Sequence, residues 1–167
     1  MTGRTSRLAA SIVSTGLLAA ATVALTPTSA AAAAASNCSA KQHKQFDTVG
    51  ENLDLYITLC VSRTSSNYYQ ATVHVAWEDG GNGSAAGMED LDVNLRLERN
   101  DSAYKTASSS YKNPANTYDS GSGYGHVTST YYSTSTGGWT ADGSVNWDIN
   151  NDGAGGGTWQ LTGSGQI

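Results

Sequence analysis

The chain is short of cations, of cysteines and of catalytic motifs. Nine Lys and Arg stand against fourteen Asp and Glu in 167 residues, a net charge of −5. Two of the bases, Arg4 and Arg7, sit at the very start, so the remainder is more acidic still. Nucleic acids and anionic membranes are bound by neutralising phosphate with Lys and Arg, so neither is an expected partner once a leader is removed. The two cysteines, Cys38 and Cys60, have no further cysteine and only His43 at short spacing, too few ligands for an ordinary zinc site. No G-x-S-x-G is present: Ser122 and Ser164 stand in G-S-G, which is turn composition. H-E-x-x-H is also missing, and the only histidines are His43, His74 and His126. Glu78 with Asp79, and Glu89 with Asp90 and Asp92, fit a glycine loop and a wet strand end better than a glycosidase pair.

What is present begins with an address. Arg4 and Arg7 precede an apolar run over residues 8–25, followed by Pro27 and an alanine tract. That order predicts a secretory signal peptide over residues 1–35. Neither a twin-arginine pair nor a lipobox cysteine accompanies it. About 130 residues remain, the size of one domain. In an exported chain Cys38 and Cys60 are expected to form one disulfide. Closing a loop of that length stabilises by roughly 3 kcal/mol in the chain-entropy model.

The remainder alternates with period two. Residues 52–61, 68–77 and 91–99 each place aliphatic or aromatic side chains on one face and polar ones on the other. Shorter strands are expected at 45–49, 103–111, 123–134 and 145–149, and from Thr158 onward. Pro114, with Asn113 and Asn116, reads as a turn, and no helix is expected after the leader. The expectation is an all-β, single-domain antiparallel β-sandwich of seven or eight strands over residues 45–167, with residues 36–44 as an N-terminal arm.

Two stretches point to binding. Residues 100–139 are rich in Tyr, Ser, Gly and Asn, a composition suited to recognition. Tyr68–Tyr69 and Tyr131–Tyr132 are adjacent pairs, and in a strand the two members face opposite ways. Tyr68, Tyr124, Tyr131 and Tyr132 are therefore candidate contact residues. The arm adds Lys41 and Lys44, placed to add a strand to a partner or enter a cleft.

The segment "DINNDGAGGGTWQLTGS" opens like a calcium loop, with Asp148, Asn150 and Asp152 alternating before Gly153. A calcium loop needs a bidentate acid at its twelfth position, and here that residue is Trp159. The segment therefore reads first as a β-hairpin, with a weak calcium site at Asp148, Asn150 and Asp152 as the minor option and no other cofactor.

With its leader, its single Cys pair and this ending, the chain resembles small secreted β-rich proteins of actinobacteria. In layout it also resembles the adaptor subunit of umbrella toxin particles. That resemblance implies an exported protein that joins a lectin subunit to a repeat-bearing subunit through its N-terminal region. The expected function is a secreted, non-enzymatic binding or adaptor protein with a protein or polysaccharide partner. The alternatives are a carbohydrate- or cell-wall-binding module, and a protease inhibitor or small hydrolase.

Overall fold

The computed structural model describes residues 32–83, 85–150 and 152–167. The expected signal peptide falls almost wholly outside the described residues. The strands are β1 (Ala35–Cys38), β2 (Gln42–Phe46), β3 (Leu53–Arg63), β4 (Tyr68–Glu78), β5 (Met88–Arg99) and β6 (Ser102–Ser110). A helix α1 (Lys112–Thr117) follows, then β7 (Gly121–Val127), β8 (Tyr131–Tyr132), β9 (Trp139–Ile149) and β10 (Gly157–Gln160). They form two antiparallel sheets. One runs β1-β3-β4-β7, with β2 also on β3 and β8 also on β4; the other runs β10-β9-β5-β6.

Alternation builds both sheets as the sequence predicts. Leu53, Leu55, Ile57, Leu59 and Val61 of β3 are buried, as are Tyr69, Ala71, Val73, Val75 and Trp77 of β4. The second sheet contributes Leu91, Val93, Leu95 and Leu97 of β5, with Trp139, Ala141 and Val145 of β9. All belong to one core. Each such aliphatic side chain stabilises by about 1.5–3 kcal/mol relative to exposure.

Three expectations need correction. Among the described residues there are ten strands, beyond the seven or eight expected. The expected strand at 123–134 is two strands, β7 and β8, laid end to end along β4. Between them Thr128 holds the β4 edge: its N–H donates to Ala71 O (3.0 Å) and its Oγ1 accepts from Ala71 N (3.1 Å). The supposed arm at 36–44 is not a free arm either. Its residues belong largely to β1 and β2, both paired to β3. The Gln42 amide clasps Thr162 main chain in both directions, at 2.9 Å and 2.6 Å, so the tail secures the start of the fold. The third correction is α1, where a turn was expected. Pro114 sits in its first turn, where a missing N–H costs nothing. Asn116 docks it by bonding Met88 N and Met88 O at 2.8 and 2.9 Å.

The disulfide is present. Cys38 and Cys60 are register partners across β1 and β3. They lie on the outward side, opposite the core residues of β3.

β7 is held close to β4. A Cβ at Gly125 would lie 2.2 Å from Val73 O, a main-chain atom that cannot turn aside. Gly125→Ala is therefore expected to cost about 1–3 kcal/mol in urea unfolding through overpacking. Gly155→Ala is the control, because a Cβ there meets nothing within 4 Å, and it is expected to unfold like the parent.

Candidate functional site

The period-two rule that buries one face of β3 and β4 fixes what the other face presents. Outward on β3 are Asp54, Tyr56, Thr58 and Cys60; outward on β4 are Thr72, His74, Ala76 and Glu78. Across the β3–β4 ladder these meet as Asp54 with Glu78, Tyr56 with Ala76 and Thr58 with His74. On the far side of β4, His74 faces Gly125. The sequence "GSGYG" thus gives β7 a side with little relief: a Cβ at Gly123 meets nothing within 4 Å.

The result is a trough over β4, made of three adjoining hollows. The first, about 320 Å³, is lined by Lys41, Tyr56, Ala76, Glu78, Ser120 and Ser122, among others. The central one, about 190 Å³, shares Lys41, Tyr56 and Ala76 with the first and adds Thr58, His74 and Gly123. The third, about 350 Å³, shares His74 and Gly123 and continues along Thr72, Gly125 and Val127. The run from Thr72 to Glu78 is about 20 Å long at roughly 3.3 Å per strand residue.

One wall is a fixed polar cluster. His43 and Tyr56 are register partners whose rings stack at 4.9 Å. His43 Nε2 donates to Asp54 Oδ1 at 2.5 Å. The Tyr56 hydroxyl donates to Glu78 Oε2 at 3.2 Å, and desolvation together with the Glu78 charge raises the Tyr56 pKa. Lys41 Nζ lies over the Tyr56 ring, 4.4 Å from its centre. The floor and centre are different. Among the described residues the side chains of Lys41, Thr58 and His74 make no hydrogen bond or ion pair. Three polar groups thus stand ready in one hollow.

The structure separates the candidate residues of the sequence reading. Lys41 lies in the trough. Lys44 is on the inward side of β2, where its ammonium covers Phe46 and Trp147 at 5.5 and 5.3 Å. Tyr68 and Tyr132 are exposed, 46% and 55%, and pair at 5.4 Å near the other end of β4. Their neighbours turn inward as strand geometry requires: Tyr69 is fully buried, stacked 4.3 Å from Trp139. Tyr131 and Tyr124 are partly buried and pack on the core against Trp139 and Trp77, and Tyr124 also lines the third hollow. The sequence reading missed Tyr56, Thr58 and Ala76 as site residues. Their signal was their place on the polar side of two alternating strands.

Acidic groups gather in two other places. Asp152 Oδ1 accepts from Ala154 N at 2.8 Å and closes the β9–β10 turn. Asn150 N donates to Gly87 O, and Asp148 faces Asp90 across β9 and β5. Carboxylate oxygens of Glu51, Asp79 and Asp119 come within 4.8 Å of one another on an exposed loop end. Oxygen-only donors of this kind match the chemistry of a hard cation such as calcium.

His126 lies on the inner side of β7, across from Val73. Its Nδ1 is 2.9 Å from the Tyr111 hydroxyl, and its Nε2 is buried without an acceptor in bonding geometry. No family model, curated protein or solved structure matches the chain.

Burial holds the His126 pKa below its ordinary 6.5, and the Ala107 main chain offsets part of this. The unfolded chain therefore takes up a proton on this ring before the folded one does. The associated stability is full above the unfolded pKa and is lost as pH falls through the lowered folded value. His126→Gln should flatten the decline in urea midpoint between about pH 7 and about pH 5. An unchanged slope would remove His126 from the acid response.

Proposed function

We propose that the protein is a secreted, non-enzymatic binding protein whose ligand lies in the trough over β4. One observation carries this reading: Lys41, Thr58 and His74 line a single hollow with their polar groups unengaged. Polar side chains left unpaired beside a concave surface are a resource for recognition rather than for folding. The disulfide fits an oxidising compartment, and the leader-like first residues support export.

The adaptor reading has its own support. An adaptor needs two contact surfaces, and the exposed Tyr68–Tyr132 pair offers a second one toward the other end of β4. Paired exposed aromatics are favoured anchors in protein interfaces. In this reading the trough takes one partner and the tyrosine pair the other.

The test uses the native protein from culture supernatant. Envelope and polysaccharide fractions of the same culture are expected to retain the wild-type chain. Ala76→Leu, which fills the trough floor on the outward side, should abolish retention without lowering the melting temperature. Equal retention of both proteins would overturn the trough as the binding surface. For the adaptor reading, a stoichiometric protein partner should co-purify and be lost with Tyr68→Ala and Tyr132→Ala; recovery of free monomer alone would sink it.

A further inference from the structure

We infer that the ligand of this trough is a polysaccharide that carries carboxylates, a uronic-acid polymer. The inference rests on the binding reading above and adds the chemistry of the ligand.

The protein is acidic, with fourteen acids against nine bases. Among the described lysines and arginines only Arg96 pairs with carboxylates, so what sets a cation apart here is the surface it faces. Arg96 bonds Glu98 at 2.6 Å and approaches Asp142 at 3.5 Å. Arg63 donates to Ala33 O, and Arg99 to Gly137 O. Lys44, Lys105 and Lys112 have neither kind of partner among the described residues, and nor does Lys41, whose ammonium lies over the Tyr56 ring. It stands where the first and central hollows meet. The central hollow also presents the His74 imidazole and the Thr58 hydroxyl, which are neighbours across the ladder. An ammonium, an imidazole N–H and a hydroxyl converging on one hollow complement a carboxylate.

The trough is also asymmetric. Glu78 lines the first hollow with Ser120 and Ser122 but not the central one. A carboxylate there accepts hydrogen bonds from hydroxyl groups and repels a second carboxylate. The ligand must therefore offer a negative charge at the centre and hydroxyl donors beside it. A uronic-acid chain has both within neighbouring sugar units.

A peptide is the weaker fit. The trough lies on the face of the sheet, where β4 main-chain groups are engaged by β3 and β7. An extended peptide gains affinity by pairing its main chain with a free strand edge, and the central hollow over β4 offers none, the nearest being the outer edge of β7. A sugar chain needs only side-chain partners and a flat floor, which Ala76 and Gly123 supply.

The experiment measures binding of the full exported chain to polygalacturonate and alginate, with methyl-esterified polygalacturonate and poly-glutamate as comparators. The acidic polysaccharides are expected to bind, more weakly at higher salt, and the ester at least tenfold more weakly. Lys41→Gln should weaken binding about tenfold and His74→Gln several-fold. Lys44→Gln removes an equal charge outside the trough and should change little. Equal binding of acid and ester, or equal losses with Lys41→Gln and Lys44→Gln, would overturn the carboxylate assignment. Poly-glutamate bound as tightly as the sugars, with the same Lys41 dependence, would overturn the polysaccharide assignment. Failure of both acidic polymers to bind, with Ala76→Leu still abolishing retention on culture fractions, would overturn this inference and leave the binding reading standing.

Discussion

The inner faces of the two sheets share one core, and the rest of the molecule is arranged by that contact. Side chains in a strand alternate strictly, so a register slip of one residue would move every buried Leu and Val of β3 or β4 into water. Five fully or nearly fully buried positions on each of these strands make such a slip prohibitive. The same rule then leaves the outward set no freedom. Tyr56, Thr58, His74, Ala76 and Glu78 share one surface because Leu55, Ile57, Leu59, Val73, Val75 and Trp77 share the core. The Cys38–Cys60 bridge lies on that outward side for the same reason.

This is why the long strands were legible in the sequence and the short pieces were not. Period-two alternation in 52–61, 68–77 and 91–99 is a local signal with a tertiary cause, and β3, β4 and β5 follow it. It also placed the tyrosine pairs correctly as one in, one out. It gave no warning that 35–46 would be two strands, because β1 and β2 gain their order from β3 and from the C-terminal tail. Residues 139–144 carry Asp, Gly and Ser, poor strand formers, yet they extend β9 because β5 pairs with them throughout. The short helix depends on Asn116 reaching Met88, a partner 28 residues away. Tyr124 and Tyr131 look like recognition residues by composition; the structure adds that each also packs against a buried tryptophan, Trp77 and Trp139.

The site was half legible. Lys41 stood out as a base in an acidic chain, and Lys44 for the same reason. What separates them is direction within or beside β2: Lys44 points inward and sets its ammonium over Trp147, while Lys41 precedes the strand and reaches over Tyr56. A long cationic side chain commonly covers an aromatic surface in this way. His74 and Thr58 carried no motif at all. They become neighbours through the ten-residue ladder of β3 and β4, and on the far side of His74 the next strand, β7, brings glycine rather than a partner.

The glycines of β7 do not all serve the same end. Gly121 lies against the Trp77 ring, where a Cβ would come within 2.2 Å of Cζ2, and Gly125 lies against the Val73 carbonyl. Both are required by close approach. Gly123 is not, because the space around its missing Cβ is open. Its backbone has φ +76°, and the β4–β7 register shifts between Val75 and Trp77, beside it. A register shift of this kind bends the strand and re-aims its side chains. The residue that absorbs it here must tolerate positive φ, which favours glycine. A local irregularity in pairing thereby strips the side chain from the middle of the outward face. The hollow that Lys41, Thr58 and His74 line is open at that point because the strand beside it could not stay regular.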